Sequence, residues 1–254
     1  MTISSYNING IRSALKKGLA EWIRDTKFNV YCFQELKATL DQIDISVFDA
    51  MDYNSYWYPA EKKGYSGVGI ISNIKPDNVV YGMGIDDYDK EGRFIRADFG
   101  STSVISVYFP SGSSGDVRQS FKMTFLDDFF NYISDLSESK RSLIICGDYN
   151  ICHQPIDIHD PVRLKNTSGF LPEERDWVTK FLSSGFIDSF RYIKPDQQTY
   201  SWWSYRARSR AKNLGWRIDY NMVSKSLEKD IMGADIFTDI VHSDHCPIYL
   251  KINS

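Results

Sequence analysis

Polar residues gather where apolar, strand-like runs stop. Asn7 and Asn9 follow the run at 2–6, and Glu35 follows 30–33. Asp148 and Asn150 follow 142–146, Asp219 lies within 217–223, and Asp244 and His245 precede 247–252. The end of a strand holds a side chain rigidly at a cleft, so each place is a candidate for chemistry. Singly, an Asp or Asn after a strand is more often a turn or a cap, and a lone histidine is more often structural. As a set, carboxylates, amides and a histidine at successive strand ends are what a divalent-metal phosphoryl site requires. Hydrolysing a phosphodiester adds negative charge to oxygens that are already anionic, so a cation must offset it. Mg²⁺ prefers oxygen ligands and needs only one or two carboxylates, and Glu35 is the best single candidate. A histidine paired with a carboxylate can orient and deprotonate a water near neutral pH. Amide and tyrosine donors can serve the developing oxyanion.

The elements that must position these groups are mostly strands. Further strand-like runs are read at 53–58, 67–72, 94–99, 104–109 and 199–205, separated by turn residues. Apolar spacing predicts helices at 13–27, 117–136 and 172–184, the last opened by Pro172 and closed by Gly185. Strands outnumber helices and cluster in two groups, so two packed sheets with helices outside are expected. Ser5-Tyr6-Asn7 and Asp148-Tyr149-Asn150, each at a strand end, hint at two similar halves.

The 254 residues, 42% of them AVILMFWYC, are enough to bury a large core, and with no linker or compositional break they read as one domain over 1–254. Thirty Lys and Arg against 33 Asp and Glu exclude a uniformly basic nucleic-acid coat and an acidic disordered tail. Cys32, Cys146, Cys152 and Cys246 form no C-x-x-C pair or zinc-like spacing, and Cys32 and Cys146 sit in apolar runs as small hydrophobes. No apolar run approaches a membrane span and no signal peptide is read, so a cytoplasmic chain without a membrane partner is expected.

Eight blocks in this chain resemble the exonuclease III / apurinic-apyrimidinic endonuclease family of the DNase-I-like superfamily. They are Ser5-Tyr6-Asn7-Ile8-Asn9-Gly10-Ile11-Arg12, Phe33-Gln34-Glu35-Leu36-Lys37, Gly64-Tyr65-Ser66-Gly67-Val68-Gly69 and Tyr108-Phe109-Pro110, then Gly147-Asp148-Tyr149-Asn150, Lys165-Asn166-Thr167-Ser168-Gly169-Phe170, Gly215-Trp216-Arg217-Ile218-Asp219-Tyr220 and Ser243-Asp244-His245-Cys246-Pro247-Ile248. They run in family order over nearly the whole chain. The resemblance implies an α/β fold, a four-layer sandwich of two packed mixed β-sheets flanked by helices. It implies Glu35 as the principal Mg²⁺ ligand, with Asn7 and Asp244 close by and Asp148, Asn150 and His245 completing the polar cluster around metal and phosphate; Mn²⁺ is an allowed substitute. Asp219 would orient His245, Asp148 would activate the water or protonate the leaving oxygen, and Asn150 and Tyr108 would stabilise the transition state. The implied partner is duplex DNA carrying abasic sites or 3′ ends, cut 5′ to the abasic site, with 3′→5′ exonuclease and 3′-repair activities; the enzyme would be a monomer. Where the family often carries an amide after Tyr-x-Pro, this chain has Ser111-Gly112.

Seven bases (Arg191, Lys194, Arg206, Arg208, Arg210, Lys212 and Arg217) stand against the single acid Asp196 within 191–217. Trp202, Trp203, Tyr205 and Trp216 interleave with them. Such local excess is a footprint for phosphate contacts, with a solvated loop as the bland alternative. The resemblance assigns Trp202, Trp216 and Ile218 to an apolar pocket for a flipped-out, baseless sugar. Asn9, Arg12, Lys17, Tyr65, Asn166, Arg206 and the 113–114 loop would make further DNA contacts. The rival readings are another metal phosphoesterase of the superfamily, or a catalytically silent nucleic-acid-binding protein on the same fold.

Overall fold

A strand that is apolar on both faces must be covered on both, and several strands of this chain have that character. Val30–Gln34 and Val68–Ser72 are buried at every position. The computed structural model describes residues 1–139 and 142–253. Among them twelve strands follow in chain order: β1 (Thr2–Asn7), β2 (Val30–Gln34), β3 (Asn54–Tyr58), β4 (Val68–Ser72), β5 (Asn78–Tyr81), β6 (Phe94–Phe99), β7 (Thr102–Tyr108), β8 (Ser142–Asp148), β9 (Phe186–Asp188), β10 (Asp219–Ser224), β11 (Ile231–Ile236) and β12 (Ile248–Ile252). One sheet has the order β11-β12-β1-β2-β4-β3 and the other β5-β6-β7-β8-β10-β9.

Both sheets have one parallel pair at the centre, β1 with β2 and β7 with β8, and antiparallel pairs to either side. The two halves thus share one topology, but the echo of Ser5-Tyr6-Asn7 in Asp148-Tyr149-Asn150 does not mark it, because by sheet position β1 matches β7 rather than β8. Ile3, Cys32, Ile70, Ile144, Cys146 and Leu250 fill the space between the sheets. Phe125 and Phe129 of helix Asp116–Glu138 and Trp177 and Phe181 of helix Pro172–Ser183 cover the outside of the second sheet. Ile11, Ala14, Leu19 and Ile23 cover the first. The result is the expected four-layer α/β sandwich, with all four cysteines buried and unpaired.

Three expectations are corrected. The helix read at 13–27 is two, Ile11–Lys16 and Leu19–Thr26, broken at Gly18 in the left-handed region at φ 100°. The strand read at 199–205 is absent. Trp202 makes only isolated bridges, to Trp216 and to His245, because this segment crosses between two loops instead of joining a ladder. Strands β5, β9 and β11 were not expected; all lie at sheet edges, where β5 and β11 are largely half-exposed and carry no clean alternation.

The register places the polar strand ends side by side. Tyr108 pairs with Asp148 across β7 and β8, and Asp148 pairs with Asp219 across β8 and β10. Asn7 pairs with Gln34, one residue before Glu35. Gly147 is required in this row: a Cβ there would stand 2.0 Å from the Val107 carbonyl oxygen.

Candidate active site

The strand-end groups meet at one edge of the two sheets. Asn7, buried at the end of β1, donates its amide to Glu35 Oε1 at 2.8 Å and to Asp148 Oδ2 at 2.9 Å. It thereby ties a carboxylate of each sheet to one amide. Glu35 Oε2 is 2.6 Å from Lys37 Nζ, which also donates to Asn9 Oδ1 at 2.5 Å. Asn9 donates to Asp244 Oδ1 at 2.8 Å, and the Trp202 indole donates to Asp244 Oδ2 at 3.0 Å. Asn9, Glu35 and Asn150 all have φ between 44° and 55°. A left-handed residue other than glycine costs about 1–3 kcal/mol, and such residues persist where the surroundings over-determine them.

On the other side His245 Nδ1 is 2.9 Å from Asp219 Oδ2, and its Nε2 is 3.7 Å from Asp148 Oδ2. Ser201 fixes Asp219 by donating to the same Oδ2 at 2.6 Å, while accepting the backbone N–H groups of Ile218 and Asp219. Asn150 N–H donates to Asp148 Oδ1 at 2.8 Å, and the Asn150 amide donates to Phe109 O at 3.0 Å.

Burial and like charges shift these groups apart. Burial pushes the Asp148 carboxyl up to about 7, with Asp219 and Glu35 adding to the rise and the His245 cation opposing it. Burial works against the His245 cation, yet the carboxylates of Asp219 and Asp148 outweigh it and raise the imidazole to about 10. Asp244, although burial works to raise it, is held below the ordinary carboxylate range by His245 and the N–H donors of Asn9 and Trp202. Burial, then the charges of Glu35 and Asp148, keeps the Tyr108 hydroxyl protonated far into alkali.

A cavity of about 330 Å³ opens beside this cluster, and Glu35, Tyr108, Asp148, Asn150, Trp202, Trp216, Ile218, Asp244 and His245 line it. Trp202 and Trp216 meet edge to face, their ring centroids 6.1 Å apart. Asn7 and Asn9 stand behind the lining. Tyr65 lies farther off, its hydroxyl held by Arg93 and Arg118 at 3.1 Å each. Arg12, Asn166 and Arg206 are exposed and outside the cavity wall. The basic stretch divides. Arg217 is buried against Asp157 and Asp188, Arg191 is paired with Asp157, and Arg210 donates to the carbonyls of Thr238, Ile240 and Ser243. Arg206, Arg208 and Lys212 are the exposed members.

Several contributors were not read from the sequence. Lys37 is one such residue, and its i+2 spacing from Glu35 is the signal the sequence offers for it. Ser201 carries no local signal, since its partners Ile218 and Asp219 are 17 and 18 residues away. Ser111, Ser113, Thr167, Ser168 and Gly169 complete the cavity rim.

Glu35, Asp148 and His245 each offer an atom within 4.8 Å of the others, a grouping that could hold a metal ion. No helix among the described residues is long and apolar enough to cross a membrane.

Residues 4–245 match the model of the endonuclease/exonuclease/phosphatase family. The chain is 41% identical to an exodeoxyribonuclease of Bacillus subtilis, over all of both chains. It is 38% identical to the DNA repair nuclease APEX1 of Danio rerio, over 98% of this chain and 81% of the relative. An AP endonuclease structure from Archaeoglobus fulgidus superposes with a TM-score of 0.92 and 28% identity, covering 100% of both chains.

Proposed function

The chain belongs to the endonuclease/exonuclease/phosphatase family and is a DNA repair nuclease of the exonuclease III type; we propose that its Asn7–Glu35–Asp148–His245 cluster hydrolyses the phosphodiester 5′ to an abasic site, with 3′→5′ exonuclease and 3′-end repair at the same centre. The observation that carries this reading is the single constellation in which two sheets bring a carboxylate each to one bridging amide, beside a cavity walled by two indoles.

The donor set fits a hard divalent cation. Glu35 and Asp148 present oxygens in reach of one another, as Mg²⁺ or Mn²⁺ requires, and Asp244 adds charge nearby. Asn7 fits best as the amide that orients both carboxylates. His245, held as a cation between two acids, fits hydrogen bonding to phosphate better than ligation. When bound, the metal offsets charge on the phosphoryl and leaving oxygens.

The chain's own groups do the rest. Asp148 accepts the proton of the attacking water. The water oxygen bonds to phosphorus as the P–O3′ bond breaks, and O3′ takes a proton from solvent. His245, held through Nδ1 by Asp219, donates its Nε2–H to a non-bridging oxygen, as do the Tyr108 hydroxyl and the Asn150 amide once it turns from its 3.4 Å contact with Asp148. Trp202, Trp216 and Ile218 exclude a base from the cavity and accept a bare sugar. Asn9, Arg12, Tyr65, Asn166 and Arg206 are assigned to the flanking DNA. The whole chain acts as one domain, as a cytoplasmic monomer.

The experiment compares duplexes carrying an abasic site, a recessed 3′ end or a uracil, with and without Mg²⁺, and sizes the protein by sedimentation. Mg²⁺-dependent incision at the abasic site and a monomer are expected. Inertness toward all three duplexes would return the chain to another phosphoester or to silent binding.

A further inference from the structure

Lys122 and Glu174 form an ion pair of 2.6 Å in which both side chains are fully buried, outside every role assigned above. They come from the two helices that cover the second sheet, and beyond each other and Gln119 they bond to loop backbone. Lys122 Nζ also donates to the backbone carbonyl of Asn150 at 2.8 Å. Glu174 Oε2 accepts the backbone N–H of Gly169 at 2.6 Å and that of Leu171 at 3.0 Å. Its Oε1 accepts Gln119 Nε2 at 3.0 Å, and Gln119 Oε1 in turn accepts Ser168 Oγ at 2.7 Å. Gln119 also abuts the third rim loop, since a Cβ on Gly112 would stand 1.8 Å from its Oε1.

Three rim segments thus converge on one buried charge pair: the left-handed turn at Asn150, the Ser168–Gly169 rim and the Ser111–Ser113 loop. Gly169 is itself wedged between the two functional walls. A Cβ there would meet the Trp216 ring at 3.0 Å and the Asn150 carbonyl oxygen at 3.1 Å. A core needs no ion pair for stability, because apolar residues of similar volume do as well or better. The hydrogen bonds this pair sends to loop backbone are what apolar residues could not supply.

We propose that Lys122 and Glu174 are positioning residues that hold the Asn150 turn and the cavity rim in one frame, so that a sugar seated against Trp216 presents its phosphate in register with Asp148 and Asn150. The proposal rests on the phosphodiesterase reading. It is a claim about registry between recognition and chemistry, and neither residue touches substrate.

The test uses Lys122→Met and the double variant Lys122→Met/Glu174→Gln. The single change strands a buried carboxylate and should lower Tm sharply. The double change removes both charges, keeps an oxygen for Gly169 and Leu171, and should recover most of that Tm. The double variant should nonetheless cut abasic duplex about 100-fold more slowly in single turnover, with DNA affinity little changed, as loss of sub-ångström placement does. Backbone hydrogen exchange at 148–152 should quicken in the same variant. If cleavage recovers along with Tm, the pair is structural only and the proposal is overturned. Unchanged exchange at 148–152 in the folded double variant also overturns it, and this readout needs no substrate. A wild-type protein inert on abasic duplex, with exchange altered as expected, would instead strike the functional reading.

Discussion

The proposed reacting end and the outer rim proposed to meet DNA are built on opposite terms. At the reacting end Asn7, Asp148, Asp219 and His245 are all buried, and each is held by partners from other strands or loops. At this outer rim, beyond the cavity wall, Arg12, Asn166 and Arg206 are exposed, and Arg12 makes a 3.5 Å contact with the Lys37 carbonyl. The first region is held by its own partners in the free protein; the second is solvated, and under the proposed function DNA would order it. Preorganised donors in a dry site act on rate, whereas solvated charges act on encounter and affinity. Trp202 stands between the two, one face on the cavity and its N–H on Asp244.

The largest expected effect breaks the reacting end. Asp219→Asn and His245→Asn should each slow single-turnover cleavage of abasic duplex by about 10⁴-fold, because the first removes the carboxylate that holds the imidazolium and the second removes the cation itself. Groups that act as a unit are non-additive, so the double variant should be little worse than the poorer single. Full additivity of the two losses would separate them. Next comes the cavity wall. Replacing Trp216 with Ala should cut the preference for abasic over undamaged duplex by about tenfold or more, with incision itself less affected. Equal losses on both substrates would remove the indole from recognition.

The acid and the imidazole give pH signatures of the same sign in different windows. His245 is raised from 6.5 to about 10 in the fold, so its contribution to stability is complete below 6.5 and is lost as pH climbs through 10. Asp148 is raised from 3.8 to about 7, so its proton favours the folded state most strongly at acid pH, and that contribution fades between 3.8 and 7. Denaturant titrations of the metal-free protein at pH 6.5, 8 and 9.5 should show falling stability, and His245→Asn should flatten that fall. The smallest effect belongs to the rim: Arg206→Gln should reduce the slope of log affinity against log salt by about 1. An unchanged slope would make Arg206 a solvated charge.

The reacting end was legible in the sequence because its residues follow strands that announce themselves. Glu35 ends a wholly apolar run, and Asp148 follows a glycine that only close strand contact explains. The two-sheet layout, the helix at 116–138 and the family were legible for the same reason, and the family match over residues 4–245 bears the resemblance out. Loop-borne parts were not. The segment around Trp202 has the composition of a strand but spends its N–H groups on Trp216 and Asp244 carbonyls. Ser201 works through partners brought near by tertiary folding, and Glu174 meets Lys122 across 52 residues of chain. Periodicity also ran straight through Gly18, where a single positive φ divides one amphipathic stripe into two helices.

The contrast between the two regions is tested most directly by measuring rate and affinity separately on one substrate. Glu35→Gln and Arg206→Gln would each be compared with wild type for single-turnover rate at saturating enzyme and for Kd on the same abasic duplex, at fixed Mg²⁺ and salt. Glu35→Gln should lose about a thousandfold in rate with Kd within about threefold, since a ligand to a charge-neutralising cation is gone. Arg206→Gln should weaken Kd by several-fold while its rate stays within about twofold, as the loss of one phosphate contact does. If both variants instead lost rate and affinity in the same proportion, the division into a preorganised reacting end and a ligand-shaped rim would be wrong.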